Sequence, residues 1–541
     1  MVLIITCCAC GSSGDDSNKS VQTIPHYTLP PVKEDPIPIA GGELVFPIPK
    51  NPASLNPLKI KNIELFNLFS LIYEQPVRIG VDGTVQPELA ETWEVDSTGT
   101  VWTFHLRKGV RWQKDYGVFT SQDVIYTIGL IKSYMLGEST YAQYNSLITN
   151  FAAEDDYTVK ITLLEPGNAA VYFMTFPIIC KAYCEGENID LLKPVGTGPY
   201  LIVDYDTDEQ MTLQANDLWW KEAPYIRTLT AKCFPDHDTE LAAFEQNFLN
   251  FITTSMLTVE TYKKYGVTSS IDYLTQYYDC LVPNVTTGLF SDVKIRQAVA
   301  YALDKRDIVS TALLGHAVAA DYPVAPDSYL SGDSSNIYEY NLQKALSLFE
   351  EAGWKDRNDD GILERVEENQ PIDLTIDLLI PLNKEDTYRL DVAENIASQL
   401  LECGIKVNII EKPTEESLNE YKQSLINRDF DLAFCSLYLD QNPDITFMIG
   451  TGESANYGGF SDADIDILLK NCKASLSEDD MKQAYLALEK RFIETMPQIS
   501  LYFKTNALIY DASINIPDAI RDMNIYTTIP EWYLYVKNAE A

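Results

Sequence analysis

The sequence predicts an α/β protein built as two lobes, and three observations carry that prediction. The chain has 541 residues, more than a single hydrophobic core ordinarily serves, and its 46% hydrophobic and 22% charged residues are globular values. Residues 101–106 alternate with a period of two, Trp102, Phe104 and Leu106 on one face and Val101, Thr103 and His105 on the other, as in a half-buried strand. Residues 341–410 instead alternate helical and extended patterns: an amphipathic run, an acidic turn, the apolar stretch 372–380 read as a central strand, a helix over 390–402 and a strand over 405–410. That order suits a parallel sheet covered by helices on both faces.

Taken in order, the chain opens with an apolar run that reaches Ala9 and Cys10 and then turns into a Gly/Ser/Asp-rich segment. This resembles the end of a bacterial lipoprotein signal and implies lipid attachment at Cys10, although no basic residue precedes the run and Cys7 and Cys8 depart from the usual pattern. Residues 1–9 are read as a signal remnant and 10–40 as the lipidated cysteine and a linker, stiffened by Pro25, Pro30, Pro31, Pro36 and Pro38. No stretch approaches the roughly 20 apolar residues of a membrane-spanning helix. Gly41 begins the fold with a strand and the turn Ser54-Leu55-Asn56-Pro57. Turns at Asp82-Gly83 and Gly99 flank the next strands, and Thr120 to Asp123 reads as a capping box opening a helix with Val124, Ile128 and Ile131 on one face.

The glycine-rich stretch from Pro194 to Tyr200 lacks the Lys-Ser/Thr of a phosphate-binding loop and leads into an extended pattern, so it is read as a tight turn between strands. The chain is expected to cross to the second lobe around residues 279–284. A helix–turn–helix follows, with Ser291 expected to cap the first helix, Ile295, Val299, Ala302 and Leu303 forming its stripe, Asp304 capping the second helix and Gly315 ending it.

These segments together resemble the peptide-binding proteins of ABC importers, the extracytoplasmic solute-binding proteins of family 5. The resemblance is carried by residues 73–128 as a block, by Pro194-Val195-Gly196-Thr197-Gly198-Pro199-Tyr200 with Asn216 and Trp219-Trp220 downstream, by Arg296-Gln297-Ala298 with Asp304-Lys305-Arg306, and by the return strand at Pro497, Ile499 and Leu501. It implies a bilobal periplasmic-binding-protein-like fold (type II, cluster C) with an extra subdomain in the first lobe. The implied divisions are lobe I over 41–284, with an insert at about 72–192, lobe II over 285–498, and a return to lobe I over 499–541. It also implies function: capture of extracellular peptides by hinge closure and delivery to a permease and ATPase on separate chains, with no catalysis. A monomer held to the membrane by its lipid alone is expected, at a Gram-positive surface. Alternatives within the family are a nickel chelate, haem or oligosaccharide ligand, and outside transport a signalling or pheromone receptor.

By the same resemblance, Asp440 would hold the peptide α-ammonium, and the backbone of Ser436 and Tyr438 would pair with the peptide as an added strand. Leu437 stands where relatives carry Trp and Asn442 where they carry an acid, which implies a differently shaped pocket. Lys61 and Ile63 would line the opposite side, with Asn456 and Tyr457 as further cleft candidates. The alternative for Asp440 is an ordinary loop acid.

A net charge of −38 excludes general nucleic-acid binding and electrostatic docking on anionic lipid. Beyond Cys7, Cys8 and Cys10 there are cysteines at 180, 184, 233, 280, 403, 435 and 472, with no CxxC pair; Cys180 and Cys184 are near enough in sequence to bridge. The four histidines have no partner at metal-ligand spacing, and no nucleophile motif stands out. One metal candidate remains: Asp356, Asn358, Asp360, Gly361 and Glu367 match positions 1, 3, 5, 6 and 12 of a calcium loop, the alternative being an acidic surface turn before a strand.

Overall fold

Two long antiparallel strands, Thr268–Pro283 and Ile499–Asp511, form the axis on which the rest is hung. The computed structural model describes residues 38–535 apart from 39, 50–53, 207–208, 256–258, 333–336, 383–387, 416–418, 517–519 and 524. Cys10 and the linker expected before residue 40 therefore lie almost wholly outside the described residues. At one end of the axis Ala507–Tyr510 pair with the strand Phe251–Thr254; at the other, Tyr277–Pro283 pair with Leu432–Tyr438, which continues into the parallel strands Thr375–Leu382 and Lys406–Pro413.

Between these ends the ladder breaks. Leu274 faces Thr505 and Tyr278 faces Phe503, so residues 275–277 oppose Lys504 alone. Such a bulge bends a strand and leaves main-chain groups to be satisfied otherwise. Thr275 does so: its hydroxyl donates to the Lys504 carbonyl (3.0 Å) and accepts from the Tyr277 N–H (3.2 Å).

A second sheet, in the order Glu43–Pro49, Thr228–Phe234, Gln210–Ala215, Tyr200–Asp206, packs Leu44, Phe46 and Ile48 into the largest core cluster. A third, fully antiparallel, joins Ala90–Val95, Val101–Leu106, Thr158–Leu163 and Ile148–Asp155. In it Trp102, Phe104 and Leu106 are buried and His105 is exposed, as the period of two requires, while Thr103 on the outward face is nonetheless buried. The helix Ser121–Ser133 beside it opens on the capping box read from sequence, with Val124, Ile128 and Ile131 fully buried.

The segments that carried the resemblance turn out to be clamps. Gly196 and Gly198 lie so close to the Ile72 main chain that a Cβ at Gly196 would sit 1.8 Å from the Ile72 carbonyl oxygen. Thr197 between them donates to Glu74 (2.8 Å), and the indole N–H groups of Trp219 and Trp220 donate to the same carboxyl (2.9 Å each). Burial, with Glu88 nearby, pushes the Glu74 carboxyl up to about 7. Arg296 plays the matching part in the other half. Its guanidinium donates to the carbonyls of Met496, Thr495, Phe290 and Ser291, closing the end of the helix Glu478–Thr495 onto the helix Val293–Ala302. Buried Lys305 reaches Asp321 and the Ala320 carbonyl.

Three sequence expectations are corrected. The cap of the helix Val293–Ala302 is Asp292, which accepts from the Lys294 N–H, while Ser291 ends a preceding 3-10 turn and donates to the Gly288 carbonyl. The apolar stretch 372–380 is two strands, Gln370–Asp373 in a hairpin and Thr375–Leu382 in the large sheet, because the main chain of Leu374 bonds to Leu363 and Lys406 and turns between them. Cys180 and Cys184 are both free buried thiols on one helical turn, with no bond between them. No helix among the described residues is long and apolar enough to cross a membrane.

Candidate functional site

The bulge in the axis opens onto a cavity. Leu439 N–H donates to the carbonyl of bulge residue Gln276 (2.8 Å), which starts the loop that carries Asp440 off the end of the strand Leu432–Tyr438. The Gln276 N–H is held by the Asp522 carboxyl. One bulged peptide thus fixes two acidic segments that are far apart in sequence.

The cavity beside it measures about 510 Å³ and is walled by Tyr141, Tyr144, Tyr172, Tyr277 and Tyr438, with Lys61 its one basic lining residue and Asp440 and Asp522 its acids among the described residues. That size falls within the ordinary range of ligand pockets. Asp440 is exposed to it, and its carboxylate accepts from its neighbour's Gln441 N–H (2.7 Å) and weakly from Gln143 (3.4 Å), leaving lone pairs for a ligand. Asn442 donates to the Tyr144 hydroxyl (3.3 Å) and accepts from the Asp444 N–H, which orients the loop. Tyr277 and Tyr438 meet edge to face at 5.5 Å. Burial, with Asp440 nearby, pushes the Tyr141 and Tyr144 hydroxyls well up, so they stay protonated donors.

Two main-chain edges flank the cavity. The strand Thr375–Leu382 pairs with Leu432–Tyr438 only at Leu432 and Ala433, so among the described residues Cys435–Tyr438 have no strand partner on that side. Across the cavity, Ile60 and Asn62 are extended and outside any ladder, until Asn62 caps the helix Ile63–Ser70.

Of the residues picked from sequence, Lys61, Ile63, Tyr438, Asp440 and Asn442 line this one cavity. Ser436, Leu437 and Tyr457 line a separate cleft with Arg389 and Tyr421. Asn456 is corrected: it is buried, its amide donates to the Gly450 and Phe460 carbonyls and accepts from the Phe460 N–H, so it ties a loop and faces no cleft. The metal candidates are not drawn together as expected. Glu367 sits out on the strand Glu364–Glu367, paired with Arg365, and among the described residues no group of three or more His, Cys, Asp or Glu side chains is assembled to hold a metal ion.

Asp522 is the site residue that sequence reading missed. It is 6% exposed, and burial pushes its carboxyl up to about 6. Its surroundings, Arg521-Asp522-Met523 near the C-terminus, carry no periodicity or motif that marks a cleft. At the turn 54–57, the Asn56 amide donates to Asp190 (2.9 Å), which a carboxylate could not do.

Comparison with known proteins places this geometry. The chain is 27% identical over 553 aligned residues to the oligopeptide-binding protein AppA of Bacillus subtilis, covering 99% of this chain and 97% of that protein. It is 24% identical to the heme-binding protein A of Haemophilus influenzae, covering 82% of this chain and 84% of that one. Among solved structures, AppA of Bacillus subtilis in complex with a nonapeptide superposes with a TM-score of 0.63 at 24% identity, over 92% of this chain and all of that one. The sequence profile of the bacterial extracellular solute-binding proteins, family 5 (middle), matches residues 84–459. The chain, with its bilobal fold, belongs to the bacterial extracellular solute-binding proteins of family 5.

Proposed function

We propose that this protein captures extracellular peptides and hands them to an ABC permease and its ATPase, tethered to the membrane by a lipid on Cys10. The observation that carries the reading is the placement of Asp440. An exposed carboxylate stands in a tyrosine-walled cavity lined by Tyr438 at the end of one strand and by the extended segment 60–62 across from it. A peptide has the complementary parts: an α-ammonium for the carboxylate, and alternating N–H and C=O groups that add to an edge as a strand. The backbone of Ser436 and Tyr438 supplies one edge and that of Lys61 the other. Closing the lobes over the ligand would desolvate Asp440 and strengthen its bond to the ammonium.

The aromatic walls accept side chains of many shapes, and two acids against one lysine favour ligands with positive charge. The heme-binding relative keeps a flat tetrapyrrole as the second reading, since five tyrosines would also stack on such a ring.

Native mass spectrometry of the protein and of Asp440→Ala tests both readings. Co-purified peptide masses that vanish in the variant support the proposal. A haem, sugar or metal-chelate mass that persists in the variant would sink it.

A further inference from the structure

We infer that the turn Asp356–Glu364 binds a calcium ion, with Glu364 in place of Glu367 as its closing carboxylate. Two oxygen atoms there have no account in the protein alone. Glu364 is 2% exposed; its Oε1 accepts from the Arg357 N–H (2.8 Å), but its Oε2 is fully buried and has no hydrogen-bond partner. Asp356 is arranged alike: Oδ2 accepts from the Gly361 N–H (2.9 Å), and Oδ1 is buried and unpartnered. Lone buried carboxylate oxygens are costly unless a cation or donor meets them.

Nearby cations do not meet them. Lys355 is paired with Glu350 (2.9 Å), Lys406 with Asp373 (2.7 Å) and Arg365 with Glu367.

The Arg357 N–H bond to Glu364 Oε1 (2.8 Å) brings the Glu364 carboxyl against the main chain that follows Asp356. Lys355 and Glu364 exchange both main-chain hydrogen bonds (3.1 Å each), so Glu364 lies across the neck of the loop from the residue before Asp356. Within the loop, Asn358 Oδ1 accepts from the Asp360 N–H (2.9 Å) and keeps a lone pair, while the Asp360 carboxylate accepts from the Ile362 N–H (2.9 Å) and from the Asn358 amide (3.1 Å). The donor set is the two buried oxygens of Asp356 and Glu364, completed by amide and main-chain oxygens of one turn. Oxygen-only donors of mixed charge suit calcium better than a transition metal.

The test uses the purified protein stripped of metal with chelator. Terbium added as a calcium stand-in is excited through Trp354, which is buried two residues before Asp356. Calcium is then titrated in competition and by calorimetry, and thermal unfolding is followed with and without 10 mM calcium. Expected are sensitised emission displaced by calcium, a Kd of about 10⁻⁴–10⁻³ M as in extracellular modules, and a rise in Tm with calcium. Glu364→Gln and Asp356→Asn should each weaken binding about 10-fold or more, and Glu367→Gln should bind like wild type. Asp356→Asn serves alone if Glu364→Gln fails to fold by circular dichroism. Absence of emission and heat in wild type overturns the inference. So does wild-type affinity in Asp356→Asn, or loss of binding in Glu367→Gln, which would return the site to the twelve-residue spacing.

Discussion

Replacing Asp522 by asparagine should leave stability unchanged near pH 4 and raise it above pH 6. The carboxyl is 6% exposed and its folded-state pKa is pushed up to about 6, burial being the main cause and the Gln276 N–H a partial offset. The unfolded chain would titrate it near 3.9. A raised carboxyl holds its proton more tightly in the folded state, so its favourable contribution is complete below pH ~4 and is lost as pH rises through ~6. Two pKa units correspond to about 3 kcal/mol at pH 7–8. An unfolding entropy of about 2 cal/mol/K per residue over roughly 500 residues makes that a Tm difference of about 3 °C. Asparagine keeps the acceptor for Gln276 and drops the charge. The assay is differential scanning calorimetry of both proteins, without ligand, from pH 4 to 8. A Tm difference that stays flat with pH, or an asparagine variant less stable at pH 8, would refute the argument.

Other substitutions probe the remaining features. Asp440→Asn should weaken binding of a peptide with a free N-terminus about 10- to 100-fold, through loss of a charged hydrogen bond of about 1.5–3 kcal/mol; calorimetry with an N-acetylated control should show little difference between the proteins. Arg296→Met strips four carbonyls of their donor and should cost about 3–5 kcal/mol in urea unfolding. Gly196→Ala must displace the Ile72 main chain and should lower stability by about 3 kcal/mol or more, read as lost soluble yield or Tm. Thr275→Val removes both bonds that patch the bulge and should cost about 1–2 kcal/mol in the same urea assay.

What sequence reading reached, and what it did not, divides along the range of the forces involved. The strand Val101–Leu106 and the capping box at Thr120 follow from side-chain alternation and from bonds within one turn, so a short window contains their cause. Ser291 and Asp292 are both good caps by residue type, and only the preceding 3-10 turn decides between them. Glu74 is different in kind: its partners lie 123, 145 and 146 residues away. The resemblance singled out all three segments but could not say that they meet on one carboxyl. At the site, Lys61, Ile63, Tyr438, Asp440 and Asn442 were legible as a set. Asn456 was not, because a buried amide that ties a loop and an exposed one that meets a ligand look identical in sequence. Glu364 and Glu367 also look alike in sequence, and burial alone distinguishes them.

The paired crossing strands have a mechanical consequence. Both backbones run without interruption from one sheet region to the other, so a force that separates the two ends is borne by two covalent threads in parallel. No hydrogen bond between the ends has to hold against it, and separation would require unraveling one end. Bending is another matter, since three residues of one strand already face a single residue of the other and the missing ladder bonds need not be broken again. The joint is therefore stiff to tension and compliant to flexure, a combination suited to the hinge closure proposed above.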